Sequence, residues 1–132
     1  MQYPEFVHAA KQQFGVTTET DVLTISRAFL HTLTDHLAGN AADNMGAQLP
    51  AQLLDIIREI GPEDRDQGQR FKLTEFYERV ADRAGVDDET GKRYTHQFVQ
   101  LLSQMITADE LRKIAGTLSD DYAPLFETAG SL

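Results

Sequence analysis

The apolar positions of residues 3–60 recur in the same order and nearly the same spacing in residues 73–127. Leu73-Thr74-Glu75-Phe76 echoes Tyr3-Pro4-Glu5-Phe6, and Ala84-Gly85-Val86 echoes Phe14-Gly15-Val16, both at an offset of 70. One residue is then lost. At an offset of 69, Phe29 pairs with Phe98, Leu30 with Val99, Leu33 with Leu102, Leu37 with Ile106, Leu49 with Leu118, Leu53 with Tyr122 and Ile57 with Phe126. Few pairs are identities; the shared property is the apolar register, which a buried core selects. The pattern predicts one domain over 1–132, built from two diverged copies at 3–60 and 73–127 with a linker at 61–72.

Within each copy the period is helical. Phe6, Val7, Ala10 and Phe14 share a face of a first helix, opened by Pro4 and stopped by Gly15. Thr18 caps a long second helix over 19–38, with Val22, Ile25, Phe29, Leu30, Leu33 and Leu37 on one stripe. A third helix is expected over 41–48. The stretch Gly46-Ala47-Gln48-Leu49-Pro50 then turns the chain into a fourth, apolar helix reaching Ile60, which Gly61-Pro62 stops. The second copy predicts helices at 73–84, 88–106, 108–116 and 119–127, with a capping box at Thr107-Ala108-Asp109-Glu110, Ser119 as the last cap and a frayed tail beyond 127. The fold class is therefore all-α, a multi-helical bundle of about eight helices in two four-helix copies.

Composition removes several chemistries. There is no cysteine, hence no disulfide, thiolate nucleophile or Cys-based metal site. The net charge of -9 is spread along the chain, and Lys92-Arg93, Arg112-Lys113 and Arg79/Arg83 sit among carboxylates. Nucleic acid, which wants clustered cations, is not expected as a partner. Met1 to Glu5 lacks the basic start and apolar run of a secretory signal, and no apolar run reaches the ~20 residues of a membrane span. We expect a soluble, cytoplasmic protein with no membrane partner.

The candidate chemistry is sparse. His31 and Asp35 lie four apart on the long helix and can meet on one face as two ligands of a metal. Structural zinc wants four ligands, so a surface hydrogen bond competes with that reading. His36 lies about 140° around the helix from His31, from the ~100° step per residue. Asp87-Asp88-Glu89 and Asp120-Asp121 stand at helix starts, where carboxylates cap and complement the dipole. No serine lies in a Gly-x-Ser-x-Gly elbow, no glycine-rich phosphate loop follows a strand, and Glu63 to Gly68 lacks the ligand spacing of a calcium loop.

The Phe-rich first helices, the Gly15-Val16 turn and the Ala47-Gln48-Leu49-Pro50 segment resemble a bacterial family, the domain-of-unknown-function family 2267. The likeness runs from about Tyr3 to Phe126 and includes the weak duplication. Gly116-Thr117-Leu118-Ser119 keeps only the Leu of that segment, while Asp120-Asp121-Tyr122 is closer to the family's usual form. The resemblance implies a helical fold and brings no activity, cofactor or catalytic residue. The expectation is thus a non-enzymatic protein-interaction module without a cofactor, binding a protein partner or itself through Leu49, Pro50, Leu53 and Ile57 on the apolar fourth helix. The alternative is a small-molecule or metal-binding protein, even an enzyme, with a site between the two copies.

Overall fold

The protein, seen in a computed structural model, is described over residues 1–61, 63–64 and 68–130, with side chains as far as Glu127. Parts of the expected linker and of the Glu63–Gly68 run (Pro62, Arg65, Asp66 and Gln67) lie outside the described residues, as do 131–132. Among the described residues the elements are helical: α1 Tyr3–Phe14, α2 Glu19–His36, α3 Ala41–Gly46, α4 Ala51–Ile57, α5 Leu73–Ala84, α6 Asp88–Met105, α7 Ala108–Thr117, a 3₁₀ turn at Asp120–Tyr122 and α8 Ala123–Gly130.

Local signals explain most boundaries. Gly15 and Gly85 close α1 and α5 in the same left-handed conformation, φ 71° and 70°, where a side chain would be strained. Thr18, Asp87 and Thr107 accept hydrogen bonds from the amides of Asp21, Thr90 and Glu110, satisfying donors that have no partner inside a helix. Four expectations need correction. The chain turns extended at Leu37, ending α2 at His36 rather than Ala38. Helices α3 and α4 are shorter than expected, because turns occupy Ala47–Leu49 and Arg58–Ile60. Ser119 does not cap; its hydroxyl donates to the Asp121 carboxylate. Helix α8 continues to Gly130 instead of fraying at Glu127.

Two further caps cross the molecule. The Gln48 side-chain carbonyl accepts from the Thr107 amide at 2.8 Å, joining the Gly46–Pro50 stretch to the start of α7. The Asp121 carboxylate accepts from the Leu73 amide at 2.7 Å, at the start of α5. That second bond is the main reason the Asp121 carboxyl is held below its usual range.

Helices α2 and α6 form the centre. Helix α1 packs on α2 as α5 packs on α6, α1 on α6 as α5 on α2, and α4 on α2 as α8 on α6. Phe29 and Phe98 stack on each other with centroids 4.4 Å apart. Phe6 meets Phe98 at 6.2 Å and 64°, and Phe76 meets Phe29 at 5.7 Å and 60°. Such reciprocal pairing is what a two-fold arrangement of like elements produces. Buried hydroxyls are satisfied within their own helices: Ser26, Thr32, Thr34 and Thr95 each donate to the carbonyl four residues back.

The halves differ in how tightly their helices approach. A Cβ on Gly91 would lie 2.6 Å from the Ala81 Cβ and 2.8 Å from the Tyr77 carbonyl oxygen, so α6 meets α5 backbone to backbone there. Gly91→Ala gains about 1 kcal/mol of helix propensity, yet the clash is with main chain and cannot be relieved by a rotamer. The expected outcome is a net loss of about 1–3 kcal/mol, the usual cost of overpacking, read from urea midpoints. A stabilised variant would mean that the two helices separate easily.

Candidate functional site

The sequence-predicted interaction residues lie inside. Leu53 and Ile57 are fully buried, Leu49 is 8% exposed and Pro50 is half-buried. Helix α4 lays its apolar face on α2, so the expected contact surface is core. Met1 is the one exposed large apolar side chain among the described residues.

His31 and Asp35 do not converge. The His31 Nε2 stands 3.0 Å from the Ile56 carbonyl, which can only accept, so the ring carries its proton there. The same nitrogen is 3.2 Å from Glu59, whose carboxylate takes a two-pronged grip from Arg27 at 2.8 and 2.9 Å. These bonds tie α2 to the end of α4. Asp35 turns the other way and receives Arg79 at 3.0 Å and Arg83 at 2.8 Å. Arg83 also donates to Thr32, and Arg79 to Glu75 and Gln69. The cluster joins α2 to α5. Among the described residues no three His, Asp or Glu side chains are placed to hold a metal.

The site that does emerge lies where α2 ends, beside residues 68–72 and the junction of α7 with the 3₁₀ turn. His36, the last residue of α2, is 5% exposed. Its ring meets Phe71 edge-on at 4.9 Å and Tyr122 at 5.3 Å. The Tyr122 hydroxyl donates to the Phe71 carbonyl at 2.7 Å, and the Arg79 guanidinium lies 3.9 Å over the Phe71 ring. The aromatic wall is therefore pinned from two sides. Burial raises the Tyr122 phenol far above its usual range, and it stays a donor.

The imidazole of His36 is unusual in what it lacks. Among the described residues its Nδ1 is buried without a hydrogen-bond partner. Burial holds the ring below its usual pKa range and the Arg70 charge pushes the same way, against the pull of the His36 and Phe71 backbone and of the nearby Asp121. His36 and Arg70 both border two adjoining lobes of a cleft. The first is about 260 Å³ and is completed by Phe71, Lys72 and Ser119. The second is about 520 Å³ and runs past Ala38, Gly116 and Thr117. Neither lobe has an acidic residue among its described lining, in a chain with 21 acids and 12 bases.

Sequence reasoning passed over this site. His36 sits on the apolar stripe one place before Leu37, and at the offset of 69 its counterpart is Met105. A histidine where the other half keeps a thioether was the available signal. Arg70, Lys72 and Ser119 carry no such mark, since only the folded path brings them to the end of α2.

The fold and cleft define an all-helical domain with a recess at the end of α2, and no three His, Asp or Glu side chains among the described residues are placed to hold a metal. Residues 3–125 match a family described as "Uncharacterized conserved protein (DUF2267)", and the chain belongs to that family. It is also similar to an adenosine deaminase of Mycobacteroides abscessus, 27% identical over 108 residues that make up 82% of this chain and 26% of that protein. The chain thus spans about a quarter of the length of the curated relative it matches. Among the described residues, no helix is long and apolar enough to cross a membrane.

Proposed function

We propose that this domain is a non-enzymatic binding module that holds a small polar metabolite in the cleft at His36, between its two halves. The observation that carries the reading is an unpartnered nitrogen in the ring of a side chain 5% exposed that borders a cavity. Leaving such a group unsatisfied costs about 1–3 kcal/mol. Packing does not demand it, for Met105 at the counterpart position is 9% exposed and carries no comparable polar atom. A ligand in the cleft that the ring turns to meet would account for a histidine at this place.

The same reading takes the chain as one domain descended from a duplicated four-helix unit, copies 3–60 and 73–127, supported by the reciprocal Phe6–Phe98 and Phe76–Phe29 contacts. Its lack of cysteine suits the reducing cytoplasm. A protein partner or a second copy would have to meet the polar, acidic exterior, because Leu49, Leu53 and Ile57 are spent on the core.

The test is His36→Met with a thermal-shift panel of nucleosides, nucleotides, organic acids, amino acids and sugars. Adenosine belongs in the panel because a relative is named for acting on it. The wild type is expected to gain melting temperature with a cleft ligand, about 2.7 kcal/mol at a hundredfold excess over Kd. His36→Met is expected to be as stable as the wild type or more so, by up to about 1–3 kcal/mol, and to lose the response. A variant that is destabilised, together with a wild type that answers to nothing in the panel, would make His36 a packing residue and overturn the reading.

A further inference from the structure

We propose that the cleft recognises an oxyanion, a carboxylate or phosphate group on a small apolar body, with the anion set between Arg70 and the His36 ring and the body lying against Phe71. This rests on the binding-module reading and names its ligand chemistry.

The charge pattern carries the first step. A protein of net charge -9 repels anions at long range, yet the described lining of both lobes supplies Arg70 and Lys72 and no carboxylate. Asp121, the acid whose charge reaches His36, is engaged by the Leu73 amide and the Ser119 hydroxyl. Arg70 borders both lobes, so one guanidinium reaches a group held at their junction. Its planar fork suits two oxygens of a carboxylate or phosphate.

Shape carries the second. The 260 Å³ lobe has the Phe71 ring and the His36 edge in its wall. A cavity of roughly 150 Å³ is enough for benzene, so a six-membered ring fits with room for its anionic substituent. The larger lobe, past Gly116 and Thr117, gives that substituent access to solvent or to a longer tail.

Proton coupling follows from the groups around His36. Arg70 and Lys72 face it from residues 70–72, and Asp121 and Tyr122 from the 3₁₀ turn. In the free protein burial disfavours the charged ring, and Arg70 adds to that. An anion held beside the ring favours its protonated form, so its pKa is higher in the complex than in the free protein. Binding takes up a proton. The extra affinity is fully present below the free-state pKa, itself below the ordinary 6.5, and is lost as pH rises through the bound-state value.

The experiment uses the full chain and three probes: benzoate, phenyl phosphate and the neutral isostere benzamide, with benzoate also titrated from pH 8 to 6 for the proton. Titrations are followed by the His36 ring resonances and by calorimetry in two buffers of different ionisation enthalpy. Benzoate or phenyl phosphate is expected to bind, and whichever is tighter identifies the oxyanion. Benzamide is expected to be about tenfold weaker or worse, the loss of one charge-assisted bond. Benzoate, ionised throughout this range, is expected to bind several-fold tighter at pH 6 than at pH 8, with proton uptake. Arg70→Gln should weaken it by about tenfold, and His36→Met should remove the pH dependence. Equal binding of benzamide and benzoate, a flat pH profile, or no response to either anion would overturn the inference. If a neutral metabolite from the wider panel still shifted His36 in that case, the binding-module reading would stand and only the oxyanion would be wrong.

Discussion

Phe98→Ala is expected to remove about 3–5 kcal/mol of stability, the usual cost of emptying a buried aromatic site. Phe98 is fully buried and contacts Phe6, Phe14 and Phe29 at centroid distances of 6.2, 6.3 and 4.4 Å. Those three rings come from α1 and α2, while Phe98 stands on α6. The substitution therefore cuts the packing between the halves as well as leaving a void. Each lost aromatic pair adds about 0.5–1.5 kcal/mol beyond area alone. Domains of this kind hold about 5–15 kcal/mol in all, so the variant should be partly unfolded at 37 °C or close to it. Phe98→Leu keeps most of the volume and should cost about 1–2 kcal/mol. Urea denaturation of the three proteins checks the order. A loss below about 1 kcal/mol for Phe98→Ala would mean that the two halves do not meet through these rings.

Why the helices were legible and the cleft was not follows from the range of the interactions. Helix starts and stops are set within a few residues: Thr18, Asp87 and Thr107 bond amides three places on, and Gly15 and Gly85 take a conformation that side chains disfavour. The stripe through Phe29, Leu30 and Leu33 likewise announces its own buried face. The short helices α3 and α4 were overextended because Ala47, Gln48 and Arg58 are ordinary helix formers; local sequence does not disclose the turns that end them. Gln48 to Thr107 and Asp121 to Leu73 join residues 59 and 48 apart, which no local pattern encodes. His31 and Asp35 do lie one helical turn apart, but partners on α4 and α5 claim them separately. For His36 the informative comparison was internal. Set against Met105, as Tyr122 is set against Leu53, it shows a hydrogen-bonding side chain at a position whose counterpart carries a thioether or plain hydrocarbon.

That contrast also governs what an acid on α4 should do. Leu53 and Ile57 are both fully buried and face α2. Converting them together to Asp deletes two core side chains, each worth about 2–5 kcal/mol when truncated. It also places two carboxyl groups where no water reaches. A buried carboxylate either takes up a proton or opens the structure, and two at neighbouring positions repel if both ionise. The sum exceeds the stability of a domain of this size, so the double variant is expected to lose its helical circular dichroism and its cooperative melt near neutral pH. Gln52→Glu, on the exposed side of the same helix, should change stability by no more than about 0.5 kcal/mol and controls for added charge. Recovery of helical signal at low pH by the double variant, as the new carboxyls neutralise, would support the desolvation argument directly. Retention of wild-type helix content and melting temperature at pH 7 would place Leu53 and Ile57 at a surface in solution. It would return α4 to the position of an interface and remove the reason for looking to His36 instead.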